Sequence, residues 1–436
     1  MCVRSGARRA IALRAALTLI VALSAPAGAQ AAGWSHPFRF AGPFSGDVAA
    51  PAVAFSSSEQ TAVAFALGDE DHPWVSQAIT AVRSANGRLS RMVLPGAKEV
   101  LALAFERSTL ELLTGTSSPG QGCCTGAQAV SLSGGALSNR RTIVSGLFGV
   151  ALGRLLTLPG SLITSAVATD RAVWAAQSSA HSRLGPVRRL SGQSSWPQGL
   201  AVAGLSGGRE EIAWSSSAGL TQSATSIDVV SASPKHPPRG PGIVVRMPPG
   251  YAVDEVALAP GPHDGTLAWI ESWFDATGAY HSAVTVVDLT ATLRPRTFEI
   301  PSEIAGGLSF VGDGAGDQVV AFRACDALGS CNVMALSRSA RGHYGQPQQL
   351  GTIDAPQPPI AAVSPGGGAL VGWIDDGHVL FSGRRGATGA FSAPRVVSTT
   401  SYAADLTIAS GPRGRAVAAW AQGTLSPSVM GALYSP

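Results

Sequence analysis

Pro358-Pro-Ile-Ala-Ala-Val363, Gly368-Ala-Leu-Val-Gly-Trp373, His378-Val-Leu-Phe-Ser-Gly383 and Phe391-Ser-Ala-Pro-Arg-Val-Val397 are four short apolar runs in quick succession. Ser-Pro-Gly-Gly-Gly, Asp-Asp-Gly and Arg-Arg-Gly-Ala-Thr-Gly separate them, so each run reads as a strand and each separator as a turn. Asp375-Asp376-Gly377-His378 is the sharpest hairpin signal in the chain, because Asp-Gly supplies the positive φ that a two-residue turn requires. The unit is a four-stranded antiparallel sheet whose second strand ends in an aromatic residue.

Working outward, the same aromatic-ended strand recurs: TAVAFAL at Phe65, RAVWAA at Trp174, EEIAW at Trp214, GTLAW at Trp269, DQVVAF at Phe322, GALVGW at Trp373 and RAVAAW at Trp420, with STLELL at Leu113 filling the one gap. The last five anchors are 55, 53, 51 and 47 residues apart. A period near fifty, with four strands per period, predicts an all-β propeller of about eight four-stranded blades, with seven as the alternative. The third repeat, residues 145–193, does not resolve into four clean strands. An aromatic-x-x-Pro pattern opens the fourth strand in Tyr344-Gly-Gln-Pro347 and Phe391-Ser-Ala-Pro394. The last repeat lacks that piece, and Trp34-Ser-His-Pro37-Phe-Arg-Phe40 carries it, so residues 34–42 are expected to pair with residues 428–434 and close the ring.

Composition agrees with this architecture. Charged residues make up only 13% of the 436, while 52 glycines and 29 prolines favour turns over long helices. Arg4, Arg8, Arg9 and Arg14 precede an apolar run from Ala15 to Leu23 and a small-residue stretch, which reads as a secretory signal peptide over residues 1–32, cleaved after Ala29 to Ala32. Residues 33–436 then form a single propeller domain, expected to be monomeric and outside the cytoplasm. Of 31 basic groups those four lie in the leader, leaving 27 basic against 27 acidic, so no electrostatic case for nucleic acid remains. No run beyond the leader is long enough to span a membrane.

The runs Ser364-Pro-Gly-Gly-Gly-Ala-Leu-Val-Gly-Trp373 and Ser410-Gly-Pro-Arg-Gly-Arg-Ala-Val-Ala-Ala-Trp420 resemble the secreted sialidase-like, neuraminidase-repeat propellers of bacteria, over the whole mature chain. Pro or Gly stands where that family's Asp box, Ser-x-Asp-x-Gly-x-x-Trp, has Asp. The resemblance implies a propeller and, for an active member, an arginine cluster, a Tyr nucleophile assisted by Glu, and an acidic acid/base residue. Tyr251-Ala-Val-Asp254 and Tyr402-Ala-Ala-Asp405 offer those residue types between a fourth strand and the next first strand. Nothing singles out three arginines, and no residue is assigned a catalytic role. The histidines show no ligand spacing, no serine sits in G-x-S-x-G, and Gly312-Asp313-Gly-Ala-Gly-Asp317 reads as a hairpin loop, so neither metal nor cofactor is expected.

A non-catalytic binding module for a glycan, a peptide or a surface partner is the leading functional reading; a sialidase-like glycoside hydrolase and a structural envelope or matrix component are the alternatives. The ligand face is expected where strands two and three connect. Asp69, Glu70, Asp71, His72 and Trp74 follow Phe65; Glu271, Trp273, Phe274 and Tyr280 follow Trp269; Arg323 follows Phe322; Asp375 and Asp376 follow Trp373. Four cysteines remain after the leader. Repeats two and six lie across the ring, too far apart for a bridge, so Cys325 should pair with Cys331 and Cys123 with its neighbour Cys124.

Overall fold

The computed structural model describes residues 33–68, 76–117, 125–146, 149–158, 162–178, 184–192, 196–219, 222–233, 236, 242–261, 264–290, 293–300, 304–340, 342–354 and 357–436. They form eight antiparallel sheets, seven of them four strands wide and each a contiguous stretch of chain. In the following, a to d denote the strands of one blade from the axis outward. Blade 7 reproduces the reading of its sequence: Ile360–Val363, Ala369–Asp375, His378–Arg384 and Arg395–Val396 are its strands a to d. Asp376 and Gly377 both take positive φ, 49° and 68°, as the two-residue hairpin demands. Strands a of neighbouring blades touch all the way round, from Val48–Phe55 of blade 1 to Ala403–Ser410 of blade 8 and back. No described helix is long and apolar enough to cross a membrane.

The eighth sheet closes the ring. Its strands a to c are Ala403–Ser410, Ala416–Gln422 and Ser428–Ser435, and the place of strand d is taken by Gly33–Trp34 and Phe38–Ala41 from the other end of the chain. Trp34 pairs with Tyr434 and Phe38 with Gly431. Phe40 is fully buried there, and the Trp34 ring lies 4.2 Å from Phe381 of blade 7. Tyr344 and Phe391 do the same for blades 6 and 7: each precedes strand d and plugs the cleft with the preceding blade.

The core is divided. Each of the eight clusters of buried apolar side chains joins two adjacent blades. Strand b is buried on both faces for this reason: Leu267 and Trp269 pack toward blade 4, Ala268 and Ile270 toward blade 6. Phe65, Trp214, Trp269, Phe322, Trp373 and Trp420 all point into the cleft with the preceding blade. Two expected anchors fall differently. Leu113 packs toward blade 3, and its neighbour Leu112 takes the anchor position against blade 1. Trp174 lies in strand c of blade 3 (Val173–Gln177), paired with Val167 of strand b, Leu162–Thr169. Val167 is too small to fill the cleft with blade 2, and Trp174, one strand outward, packs into the same cluster.

Candidate functional site

Antiparallel order places every d-to-a and b-to-c connection on one rim, here the upper, and every a-to-b and c-to-d connection on the lower. The expected ligand residues in the described part therefore share the upper rim, on consecutive blades 5, 6 and 7. Asp69, Glu70, Asp71, His72 and Trp74, and the pair Cys123 and Cys124, lie outside the described residues.

Blade 5 carries the most aromatic part. Strand b, Gly265–Phe274, and strand c, Tyr280–Asp288, extend beyond the sheet as a hairpin. Cross-strand register sets Tyr251, Trp273 and His281 side by side, with ring centroids 4.8 and 5.3 Å apart and nearly parallel planes. Both faces of Trp273 are therefore covered, and the ladder presents edges. On the opposite face of the hairpin Phe274 is 68% exposed and meets Tyr280, 37% exposed, edge to face at 5.4 Å. The Asp275 turn braces the tip: its carboxylate accepts hydrogen bonds from the Thr277 hydroxyl and from the Thr277 and Ala279 amides, and pairs with His281 at 3.1 Å. The Thr277 hydroxyl, then His281 and Ala279, hold the Asp275 carboxyl well below the usual range.

The other expected residues are placed as follows. Glu271 is buried inside strand b, accepting hydrogen bonds from Trp269 Nε1 at 3.1 Å and Thr285 Oγ1 at 3.0 Å, so it orients the anchor tryptophan. Arg323 is half-buried over Gly306 of its own strand a. Cys325 and Cys331 form the expected disulfide, closing an Asp326 turn built like that of Asp275. Asp375 accepts a hydrogen bond from Thr352 Oγ1 at 2.6 Å, and Asp376 is exposed at the turn. Glu255 ties blades 5 and 6, accepting from the Gly307 and Leu308 amides at 2.6 Å each, while Asp354 accepts from Gly377 N of blade 7 at 3.0 Å. The upper rim of these three blades is thus one hydrogen-bonded sector.

The channel mouth holds Asp254, which the sequence offered, and residues that it did not single out. In every blade except the seventh the top of strand a carries a bulge, which turns an extra residue out of the ladder. Asp254 is that residue in blade 5; it is exposed at the mouth, yet surrounding protein desolvates its carboxyl and pushes it up. Burial likewise raises Glu99 at the top of blade 2. Deeper in the channel, Arg154 projects from strand a of blade 3, Val150–Leu158. At the same register the other blades have Ala52, Ala104, Ala201, Ala257, Ser309, Ile360 and Thr407. Among the described residues, Arg154 is the one arginine on the innermost strands. No group of three or more His, Cys, Asp or Glu among the described residues is gathered to hold a metal.

The chain matches no family model and no curated protein in sequence. Comparison with solved structures finds partial likenesses. It is similar to a polysaccharide lyase of the PL25 ulvan lyase family, at a TM-score of 0.46 and 7% identity over 91% of this chain and 95% of that one. It is similar to the β-propeller domain of the Trilobed protease from Pyrococcus furiosus, at 0.43 and 8% over 81% and 98%. It is also similar to a protein of unknown function from Dyadobacter fermentans, at 0.42 and 12% over 93% and 99%.

Proposed function

We propose that the chain is an exported, monomeric, non-catalytic binding module that engages a glycan, a peptide or a surface partner through the upper rim of blades 5 to 7. The observation that carries this reading is the blade 5 hairpin, where Phe274 and Tyr280 stand exposed on a tip stiffened by the Tyr251–Trp273–His281 ladder and the Asp275 turn. Rigid aromatic residues at a solvent-exposed tip offer apolar contact at low ordering cost, with a polar edge for orientation. The Cys325–Cys331 disulfide supports an oxidising compartment, in keeping with the leader. Sialidase chemistry calls for several arginines converging on one pocket, and the described innermost strands that line the channel carry Arg154 alone.

The test is the double variant Phe274→Ala/Tyr280→Ala, compared with wild type on a panel of glycans, peptides and cell-envelope fragments. Both side chains project from a finished hairpin, so folding by circular dichroism should be unchanged. Affinity for the ligands that wild type retains should fall at least tenfold; unchanged affinity in the double variant would overturn the reading.

A further inference from the structure

The lower rim is sealed cleft by cleft. In blades 3, 5, 6, 7 and 8 an apolar side chain that precedes strand d lies in the cleft with the blade before: Leu184, Leu293, Tyr344, Phe391 and Trp34. Blade 1 has a polar turn at that place, and Phe38 and Phe55 fill its cleft with blade 8. The corresponding connection of blade 4 lies largely outside the described residues. Blade 2 differs. Its strand c, Gly126–Ser133, runs into strand d, Ala136–Val144, through Gly134 and Gly135 alone, both at positive φ. A hairpin turn of two glycines has no side chain to lend.

The seat that such a side chain would fill is open. A cleft of about 360 Å³ between blades 1 and 2 is walled by Val82 and Met92 of blade 1 and by Phe105, Leu110 and Leu132 of blade 2, with no Asp or Glu. Register identifies it with the seat of Tyr344. Leu110 pairs with Phe105 on one side and Leu132 on the other; Val320 of blade 6 pairs in the same way with Phe310 and Leu336, and these three share one cluster with Tyr344. Phe310 is buried there, whereas Phe105, Val82 and Met92 stay half-buried. The cleft between blades 5 and 6 is open as well, but Tyr344 itself forms part of that wall, beside the charged Asp264, Asp288, Arg296 and Arg338.

A polar end is provided for too. The Tyr344 hydroxyl donates to Gln318 Oε1. Gln60 borders the cleft between blades 1 and 2, and its Oε1 is buried without a hydrogen-bond partner among the described residues. A buried acceptor left so is unfavourable until a donor meets it. Arg88 and Arg91 stand exposed at the edge, where Arg91 Nε donates to Phe40 O at 2.9 Å.

We infer that the cleft between blades 1 and 2 binds a phenol ring, which takes from outside the place that Tyr344 takes from within in blade 6. Phe105 and Met92 offer an aromatic and a thioether surface to the ring, Val82 and Leu132 complete the apolar wall, and Gln60 Oε1 accepts from the hydroxyl. The site is on the lower rim and does not rest on the reading given for the upper.

The test is calorimetric titration of the full chain with p-cresol, with toluene as the control for the hydroxyl and 4-methylcyclohexanol as the control for the ring. Wild type should bind p-cresol saturably and at least tenfold more tightly than either control. Ser90 pairs with Val82 and borders the cleft from the exposed strand d of blade 1, Leu89–Val93, so Ser90→Phe should fill the seat and abolish binding without lowering Tm. Gln60→Leu should bring p-cresol down to the affinity of toluene while toluene binds as before, a change that loosened packing would not give. Phe274→Ala/Tyr280→Ala, on the upper rim, should bind p-cresol as wild type does. No saturable binding, equal binding of p-cresol and 4-methylcyclohexanol, wild-type affinity in Ser90→Phe, or an undiminished preference for p-cresol over toluene in Gln60→Leu would overturn the site. The peptide Gly-Gly-Tyr-Gly-Gly set against p-cresol identifies the source: tighter binding marks a ring carried on a protein chain, and weaker binding marks a free small phenol.

Discussion

Glu210 and Glu211 show how a residue's role depends on the blade beside it. Two adjacent glutamates before an apolar strand read as a solvated edge, yet both are buried, one face each. Glu210 accepts a hydrogen bond from Thr164 of blade 3, while Glu211 is turned to Gly265 of blade 5. Burial pushes both carboxyls, and that of Glu111 in blade 2, up to about 7 from an ordinary 4.5. A carboxyl with a raised folded-state pKa binds its proton more tightly in the native state. Its contribution is full below about 4.5 and is lost as the pH rises through about 7. Glu210→Gln, which keeps the shape without the charge, should therefore gain on wild type between pH 5 and pH 8, by on the order of 2 kcal/mol, measured by urea unfolding at both pH values. Gly372 gives a second case. An added Cβ would stand 2.2 Å from the Phe381 ring, so Gly372→Ala should cost about 1–3 kcal/mol, read as a lower Tm.

Elements were more legible than residues. The period of the aromatic anchors and the turn chemistry of blade 7 pointed to eight sheets with seven left open, and the displaced aromatic-x-x-Pro was enough for closure, because both are local patterns repeated under one geometric demand. Blade 3 was obscure for a physical reason. Its anchor volume comes from Trp174 in strand c, and a pattern such as Ala-Val-Trp-Ala-Ala does not say which of two paired strands carries it. The candidate site was read in part. The b-to-c connections do share a rim, but whether Trp273 offers a face or an edge depends on Tyr251 and His281, which cross-strand register brings beside it. The closing element predicts its own test: Phe40→Ala should cost about 3–5 kcal/mol in denaturant unfolding, as much as a mid-blade core truncation, although Phe40 lies only a few residues from the expected cleavage point.

At the scale of the whole molecule, acid and base are mixed on both rims. Asp254, Asp275, Asp326, Asp354 and Asp376 lie at the upper rim, while Glu59, Asp264, Asp288, Asp313 and Asp317 share the lower rim with Arg209, Arg338, Arg384, Arg385, Arg413 and Arg415. Arg209 meets Asp264, Arg338 meets Asp288 and Arg415 meets Glu59, each pair joining adjacent blades. Totals carry no information on such placement, which became visible only when alternate connections were assigned to opposite rims.

The pairing of Gly33 with Ser435 also makes the position of the chain's break a matter of choice. Joining Pro436 to Gly33 by a short linker and opening the backbone elsewhere gives a circular permutant, and the register around the ring tells which openings are benign. A break at the Arg385–Gly389 connection of blade 7 would leave that blade stitched from both chain ends, as blade 8 is now. A break at the Pro248–Gly250 connection would leave every blade contiguous and the ring held shut by side-chain packing alone. The first permutant should melt within a few degrees of the parent and the second well below it, and scanning calorimetry of the pair would weigh the interlaced seam separately from the eight clefts.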